Sequence, residues 1–158
     1  MNINRQKGFS LIELLIVVTI IGIVAAIAVP NLLASRRAAN EGSAQSSIRA
    51  IHSAEAVYQS TTGAGAFGTL ANLMAQSLVD SVLGAGSKSG YTFAVVDLSG
   101  TGVGAQFGAS GVPSTTSGVG QSGTRRFAMS HTGVMRSDVT LTAPATVAEI
   151  DAMPTLIN

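Results

Sequence analysis

The chain contains no cysteine. It therefore has no disulfide, no thiolate nucleophile and no cysteine-ligated metal, and any globular part must be held by packing alone. Histidine is scarce too, with only His52 and His131, in unrelated contexts. The one acidic residue at helical spacing from His52 is Glu55, too few ligands for a metal, so a solvated face is expected there. No serine lies in a G-x-S-x-G elbow. Gly100, Gly102 and Ala105 form G-x-G-x-x-A, but more glycines and Pro113 follow, and no acidic residue appears before Asp138. A dinucleotide site would need a helix there and an acid about 20 residues on. Strong charge of either sign is also missing. The formal net charge is +1, and without Arg5 and Lys7 of residues 1–8, seven basic residues face eight acidic ones, for −1. Such a balance supports no bulk binding of nucleic acid or anionic lipid. These absences point away from an enzyme, a cofactor, a metal or a specific nucleic-acid ligand.

What the chain does have is a long apolar run behind a short basic leader. Residues 1–8 carry Arg5 and Lys7, no acid, and end in Gly8. Of residues 9–29 only Ser10, Glu13 and Thr19 are clearly polar. As a helix these 21 residues span about 31 Å, which matches a bilayer core of roughly 30 Å. The basic leader keeps the N-terminus cytoplasmic. Glu13 is costly in such a segment, since a charged residue at the centre of a membrane helix costs on the order of 2.5–3.5 kcal/mol on insertion scales. Position alone leaves two readings: the carboxylate reaches the headgroups, or it has a functional partner.

The stretch Lys7-Gly8-Phe9-Ser10-Leu11-Ile12-Glu13-Leu14-Leu15-Ile16 resembles the processing and methylation motif of type IV prepilins and the related pseudopilins of type II secretion. The clear resemblance runs from about Lys7 to Tyr58. It implies cleavage after Gly8 by a prepilin peptidase and N-methylation of Phe9. It also implies pairing of Glu13 with the N-terminal amine of a neighbouring copy in a helical filament. Because the junction precedes the apolar run, unlike that of a secretory signal, the run would stay in the mature protein. The further partners implied are membrane lipid before assembly, an assembly ATPase acting through an inner-membrane assembly platform, and an outer-membrane secretin. The chain would sit in a bacterial inner membrane and then in a surface or periplasmic filament. Many members close a C-terminal loop with a disulfide, which this chain cannot do. Two alternatives stand beside a pilus subunit: a pseudopilin of type II secretion, and an anchored binding module that never polymerises.

The expected fold is α+β, with residues 1–8 as leader, 9–60 as one long helix and 61–158 as a head with a small antiparallel sheet. The helix divides into a membrane and polymerisation half, 9–30, and an amphipathic half, 31–60. Gly22 and Pro30 interrupt helix propensity, and Pro30 is expected to kink the helix. In the family the segment matching residues 22–29 can loosen on assembly. Ala44, Ile48, Ile51, Ala54 and Tyr58 recur at steps of three and four, one stripe that needs the C-terminal half as partner. Ile48, Ile51 and Tyr58 are the residues expected to face the sheet. Thr69 can cap a short helix over 70–76, followed by a loop over 84–90. Residues 91–96 read as a strand, 104–109 as a weaker one, 113–123 as an exposed loop, and 125–130 with 133–136 as a hairpin. The tail from Thr140 contains Pro144 and Pro154 and is expected to be mostly irregular. Arg125 and Arg126 are expected on an exposed edge. Asp138, Glu149 and Asp151 could in principle hold calcium, but read better as solvated charges.

Overall fold

The computed structural model describes residues 9–156, so Gly8 and the leader lie outside the described residues. A 50-residue helix, α1, spans Leu11–Ser60. The chain divides into two compact units, one ending at Ser35 and the other beginning at Arg36.

In the first unit no described residue packs against α1. Its apolar side chains are exposed from Phe9 to Leu32, with none of the membrane-length window buried. It is long and apolar enough to cross a bilayer, by length and composition. Helical structure runs unbroken through Gly22 and Pro30. Proline has no N–H to give the turn before it. Here Asn31 Nδ2 donates to the Ile27 carbonyl at 3.0 Å. Thr19 and Ser35 hydroxyls likewise donate to the carbonyls of Leu15 and Asn31. Thr19, Asn31 and Ser35 thus each find an acceptor within the helix itself.

The second unit is a head of α+β type. After α1 come α2 (Leu70–Ala75), α3 (Ser81–Gly84), β1 (Ser87–Lys88), β2 (Tyr91–Ser99), a 3₁₀ turn (Gly102–Gly104), β3 (Gln106–Pro113), β4 (Arg126–Ser130), β5 (Met135–Asp138) and α4 (Val147–Ala152). The five strands form an antiparallel meander in chain order. Thr69 caps α2 by accepting the Asn72 N–H, and Asp80 caps α3 by accepting the Leu83 N–H. The apolar stripe of α1 packs on one face of the sheet. Ala44, Ile48 and Ile51 are wholly buried against Tyr91, Phe93, Phe107 and Phe127, and Tyr58 packs half-buried at the margin.

The other face is covered as well. Contrary to the expected irregular tail, α4 lies against β3 and β4, where Ile150 and Met153 bury with Ala128. The local signal is a capping box, Thr146-x-x-Glu149: the Thr146 hydroxyl accepts the Glu149 N–H. Beyond α4 the chain runs along β5, with Ser137 N–H donating to Pro154 O and Leu156 N–H to Met135 O. The edge strand of the meander is thereby partly covered. The strand expected weakly over 104–109 is the central β3, shifted to Gln106–Pro113.

Candidate functional site

The start of α1 is built by two residues of the motif. Ser10 precedes the first helical residue, and Glu13 stands at the third. Glu13 Oε2 accepts the Ser10 backbone N–H at 3.0 Å, and the Ser10 carbonyl accepts the Leu14 N–H at 3.2 Å. This is the glutamate half of a capping box, in which a carboxylate satisfies one of the donors that a helix start leaves free. A carboxylate in the first turn is also favoured by the helix dipole. The reading of Glu13 from position alone missed this contact, although Ser10-x-x-Glu13 before an apolar run is its sequence signature. Glu13 and Ser10 are exposed, and Phe9 is 80% exposed. The carboxylate therefore has one local donor, with room for a second.

Gly22 and Pro30 lie within α1, and among the described residues nothing beyond the helix's own adjacent backbone stands within 4 Å of where a Cβ on Gly22 would be. Two small side chains flank that turn, at Ala25 and Ala26. Ile48 and Ile51 sit in the core of the head, and the Tyr58 hydroxyl accepts from Asn72 Nδ2 at 3.2 Å.

Farther along α1, the helix grips the long loop between β3 and β4. Arg37 Nε donates to Gln121 O at 3.2 Å and Asn40 Nδ2 to Ser122 O at 2.9 Å. Glu41 accepts from the Thr124 N–H and hydroxyl at 2.8 and 2.7 Å, and from the Arg125 guanidinium at 3.0 Å. Burial pushes the Glu41 carboxyl upward, but the Thr124 and Arg125 contacts outweigh it and hold the group below its ordinary value. Arg125 is therefore not on a free edge. Neither is Arg126: β4 is an inner strand, and Arg126 is 5% exposed. Its guanidinium binds Asp138 Oδ2 at 2.8 Å, Glu149 Oε1 at 3.0 Å and Thr142 O at 2.8 Å. Burial works against its charge, but the two carboxylates hold the guanidinium's pKa above the usual value.

The three C-terminal acids are thus engaged with protein partners, Asp138 and Asp151 half-buried and Glu149 still exposed to solvent. Asp151 accepts from the Ser130 hydroxyl at 2.8 Å and lies 3.6 Å from Arg136. Among the described residues no three metal-ligating side chains converge. His52 is half-buried, its ring 5.6 Å from that of Phe107, and so is packed rather than solvated. The glycines after β2 form a 3₁₀ turn of three residues, with no helix to seat a pyrophosphate.

Residues 3–29 match the prokaryotic N-terminal methylation motif. Over this N-terminal part the chain is similar to type IV pilins and to type II secretion pseudopilins. It is 45% identical over 51 residues to the type IV major pilin protein of Myxococcus xanthus, and 60% identical over 38 residues to the type IV wide pilus major component of Thermus thermophilus. It is also 38% identical over 56 residues to the type II secretion system core protein G of Escherichia coli. These stretches are 32%, 24% and 35% of this chain, and 23%, 29% and 39% of the respective relatives. The chain thus matches less than half the length of each of these relatives. No solved structure matches it significantly.

Proposed function

We propose that the chain is the structural subunit of a type IV pilus-like filament, processed after Gly8, N-methylated at Phe9 and assembled through α1. The observation that carries this reading is the pairing of a matched methylation motif over residues 3–29 with an unpartnered apolar helix. An exposed surface of that length is stable only in lipid or against other apolar helices. The subunit begins as a membrane protein with its N-terminus in the cytoplasm, and polymerisation exchanges lipid contacts for contacts with other copies. Its partners are a prepilin peptidase, an inner-membrane assembly platform and a secretin. Leader removal takes away residues 1–8 and leaves a helix over 9–60 and a head over 61–158, with residues 9–30 as the polymerisation half and the stretch from Gly22 to Pro30 as the place where the helix yields. The short stretches shared with pilins and with core protein G are equally compatible with a periplasmic pseudopilin filament, and a filament at the cell surface is what separates the two.

The test is an intact-mass measurement of protein sheared from cells and of protein left in the membrane. The expected mature species begins at Phe9 with one added methyl group, and the sheared fraction contains it. Assembled filaments whose subunits retain residues 1–8 would overturn the processing claim. A mature chain confined to the membrane and periplasm, with no sheared filament, would favour the pseudopilin.

A further inference from the structure

Glu55 lies in the last turns of α1 and is wholly buried. Carboxylates are rarely buried this completely without a cationic partner. Each of the head's ion pairs uses another acid: Glu41, Asp80, Asp138, Glu149 or Asp151. Glu55 Oε2 accepts one hydrogen bond, from the Gly68 N–H at 2.9 Å. Its other oxygen, Oε1, is buried and has no partner.

The surroundings supply no compensating charge. Gly68 belongs to the loop of residues 61–69 that joins α1 to α2, and neither that loop nor α2 holds a titratable side chain. β3, which carries the Phe107 ring beside Phe67, holds none either. On α1 itself the titratable neighbours are His52 and Tyr58, one turn away on either side. The loop is tightly seated: a Cβ on Gly68 would stand 2.9 Å from the Tyr58 ring, and one on Gly63 would meet Ala66 O and the same ring. Gly65 N–H donates to Gln59 O, and Gly65 O accepts the Gly102 N–H. The seat therefore depends on close backbone approach around one buried carboxyl group.

We propose that Glu55 is a proton-operated latch for the loop of residues 61–69, which stays docked while the carboxyl is protonated and is released when it ionises. Protonated, the group is neutral, keeps one oxygen for Gly68 and places no charge in the core. Ionised, it leaves a charged oxygen without a donor, and the cheapest relief is for the loop to lift and admit water. Burial pushes the carboxyl up to about 7, the Gly68 N–H opposing that rise only in part. Because the folded value exceeds the unfolded one, the stabilisation is complete below the ordinary carboxylate value and is lost as pH rises through about 7. Release would uncover Phe67 and Tyr58, apolar surface at the end of the head where α1 terminates. This latch stands whether or not the chain assembles into filaments.

Hydrogen exchange of the full chain in detergent micelles, read by mass spectrometry on peptides covering residues 61–69, tests it. Corrected for intrinsic exchange, protection of the loop should fall at least tenfold between pH 5.5 and pH 8.0, while β3 and β4 change little. In Glu55→Gln the amide keeps an acceptor for Gly68 and cannot ionise, so the fall should disappear. Carboxyl carbon NMR of the wild-type chain gives a second reading that needs no variant: Glu55 should titrate near neutrality. Loop protection in the wild type that is flat with pH, or an equal fall in Glu55→Gln, would overturn the proposal. So would a Glu55 carbon titrating in the ordinary carboxylate range.

Discussion

Ile150 of α4 fills the space in which a side chain at Gly108 would stand: a Cβ there would run into Ile150 Cδ1. Three residues on, and on the opposite face of β3, a Cβ at Gly111 would lie 2.9 Å from the Phe93 ring and 3.3 Å from Ile48 Cδ1. The two glycines let a helix approach the central strand from each side. The head is therefore three-layered around β3, with α1 on one face and α4 on the other.

The first consequence is for stability. Ile51 is wholly buried in the layer between α1 and the sheet. Truncating a buried isoleucine to alanine costs about 2–5 kcal/mol, which is a large share of a small domain's stability. Ile51→Ala should lower the melting temperature of the full chain in micelles by several degrees, followed by circular dichroism. Leu14→Ala, on the exposed part of α1, should leave the melting of the head unchanged.

Much of this arrangement was legible in the sequence, and the exceptions have physical causes. The stripe through Ile48 and Ile51 announced a buried helix face because 3.6-residue periodicity survives in any context. Thr69 announced α2 through its capping chemistry. Strand β3 was hard to see because Gly108 and Gly111 are dictated by what packs on the strand, so tertiary contact outweighs the local β preference. Helix α4 was missed because Pro144 and Pro154 flank it and it is only six residues long, although Thr146-x-x-Glu149 was there to be read. The pairing of Arg126 with Asp138 and Glu149, across 12 and 23 residues, has no local signature. At the N-terminus the apolar run and the motif around Gly8, Phe9 and Glu13 were plain, and only the Ser10 to Glu13 contact was overlooked.

The second consequence concerns acid. Arg126 and Asp138 are bound by two hydrogen bonds, Nε to Oδ1 at 3.1 Å and Nη2 to Oδ2 at 2.8 Å. Burial raises the Asp138 carboxyl, but Arg126 and Thr140 outweigh it and hold the group below its ordinary value. A depressed carboxyl contributes stability above its unfolded value, and loses it as pH falls through the folded one. Asp138→Asn should therefore flatten the decline in melting temperature below about pH 4. Removing Arg126 is worse, since it takes away both carboxylate contacts and the Thr142 contact at once and leaves Asp138 and Glu149 side by side without a cation. Arg126→Ala should destabilise the head more at pH 7 than Asp138→Asn does. Equal melting temperatures for Arg126→Ala and the wild type would show that the network contributes nothing.

We propose that the charge of Glu13 guides assembly, and its contact with Ser10 makes a sharp separation possible. Glutamine is the other residue of the capping box at this position. Glu13→Gln therefore keeps the helix start and the apolar run while removing the charge that would meet the amine of Phe9 on a neighbouring copy. Insertion and cleavage should proceed, and mature-length protein should accumulate in the membrane. The measurement is the yield of sheared filaments from cells making Glu13→Gln, relative to wild type at equal mature protein in the membrane. A yield reduced to a few per cent or less is expected, with Leu14→Ile nearly normal. Glu13→Gln filaments at wild-type yield would contradict the claim and leave Glu13 as a helix cap.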